Sequence, residues 1–458
     1  MVPSRRSVIA AGLSATLLPS LSALAQAQQR IGAGSGLGGL GLDASTLGLH
    51  PGSPDDQSER LRRALAEAAR RSAPLLLPPG RYRIADVALP DGTQLLGVPG
   101  ATRLVTATGG PILTARQARR LSLSGLSLDG RDIPSPNRSG LIALEGVGEL
   151  SLSELGFEQA GSTGLVLTRC GGQILRCRFS RMRDAGLFSL DSLGLTIADN
   201  MVEDCGNNGL LIWRSERGDD GSILRGNRIA RIRAEGGGDG PNGNGIGLFR
   251  AGGVIVEGNQ LRDCAMTFIR NNSGSGVQML GNQGRRCGEV GIYSEFAFEG
   301  SIMANNLIED CAAGASITNL DHGGRLAVFA NNIIRNVRRG VAPNGKEPIG
   351  GFGVQVEAEA TVTGNVIENV SESGIALGWA WAMRNLSATG NIVRKTGIGI
   401  SVSLIGKERN ALIANNVIDG ARGGAVVGTE YGKPVTGDLT KAPDPRAAGI
   451  RVEGNAVS

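Results

Sequence analysis

Aromatic residues make up only 3% of this 458-residue chain, so stacking platforms for sugar rings are few; Trp213, Trp379 and Trp381 are the only tryptophans. Basic and acidic residues nearly balance, 47 against 42. A formal net charge of +5, with no basic run long enough to form a stripe, argues against a nucleic-acid partner. No pair among the six cysteines has zinc-ribbon spacing, and neither a metal nor a cofactor is expected. Beyond the N-terminus no apolar run reaches spanning length, so no stable membrane insertion is expected of the mature chain. What is abundant is glycine, 72 residues, in a chain that is still 41% hydrophobic and only 19% charged. That balance excludes disordered and collagen-like classes and places much of the glycine at turns, where a positive φ is needed.

The first residues read as an address. Ser4-Arg5-Arg6-Ser7-Val8-Ile9 precedes a short apolar run of small residues, and Ala23-Leu24-Ala25 or Ala25-Gln26-Ala27 offers a cleavage site. The segment resembles a twin-arginine signal. Residues 1–27 are therefore expected to be removed after export by the twin-arginine translocase. The destination is the periplasm or beyond, with a flexible Gly-rich lead-in over 28–54.

From residue 190 onward one phrase recurs around Asn200, Asn227, Asn259, Asn282, Asn306, Asn332, Asn365, Asn391, Asn416 and Asn455. Successive spacings are 27, 32, 23, 24, 26, 33, 26, 25 and 39 residues, a solenoid period. An aliphatic residue follows two places after each Asn except at Gly284, and a large apolar one precedes it by three except at Ala388. A second short strand, opened by glycine, follows eight to twelve residues later, as in Gly209-Leu210-Leu211-Ile212 and Gly291-Ile292-Tyr293-Ser294. A period near 24 is too short for a strand and a full helix, and it fits a coil of three short strands. Asparagine suits the corner because it tolerates left-handed backbone and because its amide can bond the coils above and below. Cys205, Cys264, Cys287 and Cys311 each stand five residues after a repeat Asn, where other coils carry Ile232, Val337 and Val370, so free, core-facing thiols are expected.

Ahead of the coils, 55–100 reads as an N-terminal cap. Asp55 to Arg71 forms a helix with Leu61, Ala64, Leu65 and Ala68 on one face, followed by Leu75-Leu76-Leu77-Pro78-Pro79-Gly80-Arg81-Tyr82. Such a cap covers the open end of a solenoid. With these features the chain resembles the pectate-lyase-like right-handed β-helix superfamily, and more narrowly a family of twin-arginine-translocated bacterial repeat proteins. The resemblance implies an all-β fold, a single right-handed parallel β-helix over 101–458 with a short N-terminal capping helix; it implies no particular activity.

Ligand-facing residues must come from outward columns of the coils. Counting five residues past the glycine of the second strand gives Glu145, Arg169, Asp191, Arg214 and Arg250. Arg270, Glu295 (one place early) and Asn319 are the nearest equivalents in the next coils, and Trp213 and Phe249 stand beside two of the arginines. Arginines at coil spacing would bind carboxylates on an acidic sugar polymer; alternating signs on a solvated face are the other reading. Insertions at 233–244 (with Asp239) and 339–350 (with Lys346 and Glu347) precede Gly-opened strands four coils apart and would wall one edge of a groove. A third insertion, Thr429 to Ala447, falls at another corner and would fold over the last coil. Otherwise that coil would offer its edge to a second copy of the chain.

Asp321-His322 is the catalytic candidate. It is the one imidazole of the repeats, set beside a carboxylate, and it is similar in part to the Asp-Pro-His motif of mannuronan epimerases. The Asn-Thr-Asp, paired-Asp, Gly-His-Gly and Arg-Ile-Lys set of polygalacturonases is absent, and Asp191, Glu216, Asp219 and Asp220 are too scattered for a calcium-dependent lyase. Three functions stay open. The first is an exported protein that binds acidic envelope or extracellular polysaccharide; the others are a lyase or epimerase of uronic-acid polymers and a self-assembling envelope scaffold. No complete catalytic constellation decides whether the chain is an enzyme.

Overall fold

Asn282 donates through its main-chain N and its Nδ2 to Oδ1 of Asn306, one coil on, and Asn306 does the same to Asn332. The whole series from Asn200 to Asn455 is joined this way at 2.8–3.1 Å. Each Nδ2 also donates to a carbonyl of the preceding coil, Met279 O in the case of Asn306, so the buried amides are satisfied. The expected file of asparagines is therefore real, with one correction. The left-handed residue of the corner is the one before the Asn: Asp199 (φ 57°), Asn305 (60°), Asn331 (57°), Asn415 (56°) or a glycine. The ladder itself is what selects asparagine at the repeat position.

A computed structural model describes residues 41–458 apart from 137, 239, 342–347 and 408, and Leu42–Ser458 forms one compact unit. The export segment with Arg5 and Arg6, and the insertion residues Asp239, Lys346 and Glu347, lie outside the described residues. The architecture is a right-handed parallel β-helix of about 14 turns. Each coil gives one strand before the Asn, one after it and one opened by glycine, and each strand pairs in parallel with its equivalents above and below. Ile223–Arg225 lies on Ile255–Glu257, Arg228–Ile232 on Gln260–Cys264 and Asn244–Gly252 on Ile269–Asn272.

Inward side chains form one continuous core. Phe157 and Phe179 stack within it at 4.5 Å, and the exceptions to the repeat are compensated there. Where Gly284 lacks an aliphatic side chain, the buried ring of Phe268 fills the space, 2.2 Å from where a Cβ would stand. All six cysteines are free and buried, and Cys264, Cys287 and Cys311 are in register on three successive coils.

The cap helix runs Ser58–Arg70, slightly shorter than expected. Asp56 bridges to Arg83 in extended backbone, and its carboxylate accepts the Ser58 N–H at 2.9 Å, so the first turn starts there. Leu61, Ala64, Leu65 and Ala68 are buried against the first coil. Strand structure already begins inside the expected lead-in, because Leu42–Asp43 pairs with Leu75–Leu76 and Ala44 and Leu49 are buried. At the other end, Val426–Glu430 and Lys433–Asp438 form an antiparallel hairpin, and Leu439 and Ala447 of that insertion join the core.

Candidate functional site

The Gly-opened strands present two outward columns to one long face. The first is Phe188, Leu211, Gly247, Arg270, Tyr293, Ser316, Gln355, Ala376 and Ser401, read directly from the strand register. The second, two residues on, contains Leu190, Trp213, Phe249, Asn272 and Glu295. Residues between them, such as Ile212, Leu248 and Val356, enter the core.

Trp213 and Phe249 stand on consecutive coils with ring centroids 5.2 Å apart, and Phe188 meets the indole edge-on at 5.6 Å. The Arg138 guanidinium lies 4.3 Å from the Trp213 ring. At Gly247 a Cβ would come within 2.8 Å of Leu211, so the glycine keeps the floor open. A cavity of about 320 Å³ results, lined by Leu211, Trp213, Pro241, Phe249, Arg270 and Phe296. Pro241 comes from the 233–244 insertion, which is pinned down where Asn208 Nδ2 donates to Pro241 O and Asn244 Nδ2 to Gly240 O. The expected wall is in place at this position, and Ile349 and Gly350 of the second insertion, four coils beyond the first, line a neighbouring cavity.

The charged residues sort differently from the expected single column. Asp191, Arg214 and Arg250 do share the corner beside the rings. Asp191 accepts Ser215 N at 2.7 Å and Ser215 Oγ at 2.6 Å; partial burial alone would raise its carboxyl, but these bonds and Arg214 hold it below the usual range. Arg250 Nη1 donates to Ser215 O, and its guanidinium sits 4.7 Å from the Phe249 ring. Arg214 turns inward toward Gly218, where its Nε and Nη1 are buried without a hydrogen-bond partner. Arg270, by contrast, aligns with Gly247 rather than Arg250, three places earlier. Its coil lacks the opening glycine from which the count was made. The Arg270 side chain is buried, bonded to both carboxylate oxygens of Glu295 and to Glu289 at 3.2 Å. Arg270 and Glu295 therefore neutralise one another and brace the floor.

Asp321 and His322 occupy an exposed 3-10 turn, Leu320–His322, with Nδ1 of the imidazole 3.0 Å from Asp321 Oδ2. The His322 ring meets Phe296 edge-on at 5.4 Å, and Phe296 lines the cavity, so the pair stands at its rim. Beneath the turn lies a group that sequence reasoning missed. Glu357 is buried, accepts Leu320 N at 2.9 Å, and is pushed up to about 7 by burial, with Asp321 adding in the same direction. It lines a second cavity with Tyr293, Ser316, Thr318 and Gln355, where burial pushes the Tyr293 phenol up to about 12. A signal was present: Glu357, like Glu295, falls four residues after a strand glycine, Gly353 and Gly291 respectively.

Residues 221–436 match the family described as periplasmic copper-binding protein (NosD). The N-terminal fragment of bacteriophage phi29 gene product 12 shares the fold, with a TM-score of 0.54 at 12% identity over 95% of this chain and 74% of that one. The catalytic unit of a GH87 α-1,3-glucanase from Streptomyces thermodiastaticus matches at TM-score 0.47 and 14% identity, over 93% of this chain and 70% of that one. The A-module of the Azotobacter vinelandii mannuronan C-5 epimerase AlgE6 matches at 0.41 and 13%, over 91% and 99%. No curated protein matches the chain. A copper ion does not fit the donors present. Among the described residues no group of three or more His, Cys, Asp or Glu is placed to hold a metal, and the thiols face an apolar core that disfavours the thiolate a metal needs.

Proposed function

We propose that the chain is exported by the twin-arginine pathway to the periplasm or beyond and binds an acidic polysaccharide along the face of its Gly-opened strands, without turning it over. One observation carries the reading. Two aromatic rings on consecutive coils, Trp213 and Phe249, line a walled cavity, and the exposed Arg250 guanidinium stands 4.7 Å from the Phe249 ring. Rings match the apolar faces of sugars, and guanidinium donors match uronate carboxylates. Asp191 orients this corner through Ser215. The arginine signature at the N-terminus and the periplasmic description of the matched family support the location. Isothermal titration of the mature protein with polygalacturonate, alginate and a neutral β-glucan tests it. Salt-sensitive binding of the two acidic polymers is expected, and equal or absent binding of all three would refute it.

A second reading, a lyase or epimerase, is favoured by the position of the Asp321–His322 pair on Phe296 at the cavity rim, above Glu357. There an imidazole would accept the proton α to a uronate carboxylate. Appearance of unsaturated uronides or inverted sugars with the native protein, and their loss in His322→Ala, would promote this reading over the first.

A further inference from the structure

Six coils beyond Leu211 in the same column stands Ala376, and the chain then turns at Trp379. At the usual strand spacing that is about 29 Å along the face. Here two more rings are exposed, Trp379 at 48% and Tyr431 at 64%, with centroids 6.4 Å apart and planes nearly perpendicular at 80°. They flank a cavity of about 620 Å³ lined by Ser373 and Ser401 together with Phe352, Ala376 and Ile398.

Several contacts fix this arrangement. Trp379 and Ala382 exchange main-chain hydrogen bonds at 3.0 and 2.8 Å, closing a tight turn in which Ala380 takes a left-handed φ of 48°. That conformation is unfavourable for a residue with a Cβ and persists where surroundings enforce it. Ser403 Oγ donates to Ala380 O at 2.5 Å, and Gly406 lies so close beneath Trp381 that a Cβ would stand 2.7 Å from its carbonyl. On the other side Gly432, at φ 75°, lets the hairpin pass the Trp379 ring, with an added Cβ only 3.4 Å away.

We propose that Trp379 and Tyr431 form a second sugar-stacking site on this face, so that the ligand is a polymer long enough to occupy both ends of it. The proposal rests on the central-groove reading above for the identity of the shared face. The chemistry is specific to a glycan. A pyranose presents C–H groups on its faces and hydroxyls around its edge, matching ring walls over a floor that mixes serine with apolar side chains. A protein partner would call for a contiguous apolar floor instead. Lys433 at the rim, which has no ion-pair partner among the described residues, and Arg339, paired with Glu372, suit a ligand with carboxylates.

The chain's three tryptophans allow each end to be read separately. Trp213→Phe/Trp381→Phe leaves Trp379 as the only indole, and Trp379→Phe/Trp381→Phe leaves Trp213; far-ultraviolet circular dichroism checks that both variants are folded. Each is titrated with polygalacturonate, with alginate and with trigalacturonate while emission is followed. The expected result is a response of both reporters to one polymer, each at a midpoint at least tenfold lower than for the trisaccharide. Silence of the Trp379 reporter while Trp213 responds would overturn this inference and leave the central groove standing. A response of Trp379 alone would support the second site and refute the central groove, and silence of both toward every probe would remove both. A change that follows protein concentration without added glycan would identify self-association through the exposed rings and overturn the glycan assignment.

Discussion

Arg270 donates through Nε and Nη2 to Oε1 and Oε2 of Glu295 on the next coil, at 2.7 and 2.8 Å, with both side chains shielded from solvent. A paired charge in such a place is tolerated because its partner replaces water, and removing one member strands the other. Arg270→Ala is therefore expected to lower unfolding free energy by roughly 3–5 kcal/mol in urea titrations. The double variant Arg270→Met/Glu295→Leu, which removes both charges at similar volume, should recover most of that loss. Equal losses in the single and double variants would refute the pairing as the cause.

Glu357 makes stability depend on pH with a definite sign. Its folded value of about 7 stands above the ordinary 4.5, so between these values the folded protein holds a proton that the unfolded chain has released. The stability that Glu357 contributes is then fullest below about 4.5, falls as pH rises toward about 7, and levels off beyond. The drop attributable to this one group is on the order of 3 kcal/mol. Glu357→Gln should flatten the difference between urea midpoints measured at the two ends of that window. A variant with the same pH slope as the parent would show that Glu357 is not responsible.

Within the asparagine ladder, interior rungs should matter more than the last one. Asn306→Ala leaves Asn282 N and Nδ2 without their acceptor in a buried setting, at a cost of about 3 kcal/mol. Asn455 has a neighbour on one side only and is partly exposed, so Asn455→Ala should cost clearly less. Thermal melts of the two variants side by side decide this.

The thiols should be silent. Burial pushes Cys177 and Cys205 up to about 12 and raises Cys264 and Cys287 as well, so the reactive thiolate is scarce at neutral pH. Native protein should resist iodoacetamide, all six cysteines should alkylate in denaturant, and a reductant should leave the melting temperature unchanged. Rapid labelling of the native fold at any of them would contradict the packing.

Arg250 should set affinity for acidic glycan, and His322 should not. Arg250→Gln is expected to weaken polygalacturonate binding roughly tenfold, about 1.4 kcal/mol, and to reduce its dependence on salt. Binding by His322→Ala should stay within about twofold of the parent protein. Titration calorimetry at two ionic strengths reads both variants beside the parent protein.

The legibility of these features in the sequence followed the repeat. Asn200 to Asn455 and the cysteine column were readable because a solenoid puts residues one period apart in the same surroundings. The corner trio Asp191, Arg214 and Arg250 was readable for the same reason. Arg270 was placed wrongly because its coil has no opening glycine, leaving only an approximate count, and the register that aligns it with Gly247 is set by main-chain pairing. Glu357 escaped because its chemistry comes from contacts outside the repeat. The Leu320 N–H that it accepts lies 37 residues away, on the turn that also brings Asp321 close. The left-handed residue before each Asn went unread because Asp, Asn and Gly all fill it, so no single residue type marks it.

Each asparagine rung is bonded only to the rungs immediately beside it. The cross-section of the rod is thereby copied from one layer to the next, and its length is a separate quantity. Duplicating or deleting one whole layer would change how far apart Trp213 and Trp379 stand by one strand spacing while leaving each end intact. The fold in this way works as a ruler, and the number of rungs between two rings fixes the length of chain that can touch both.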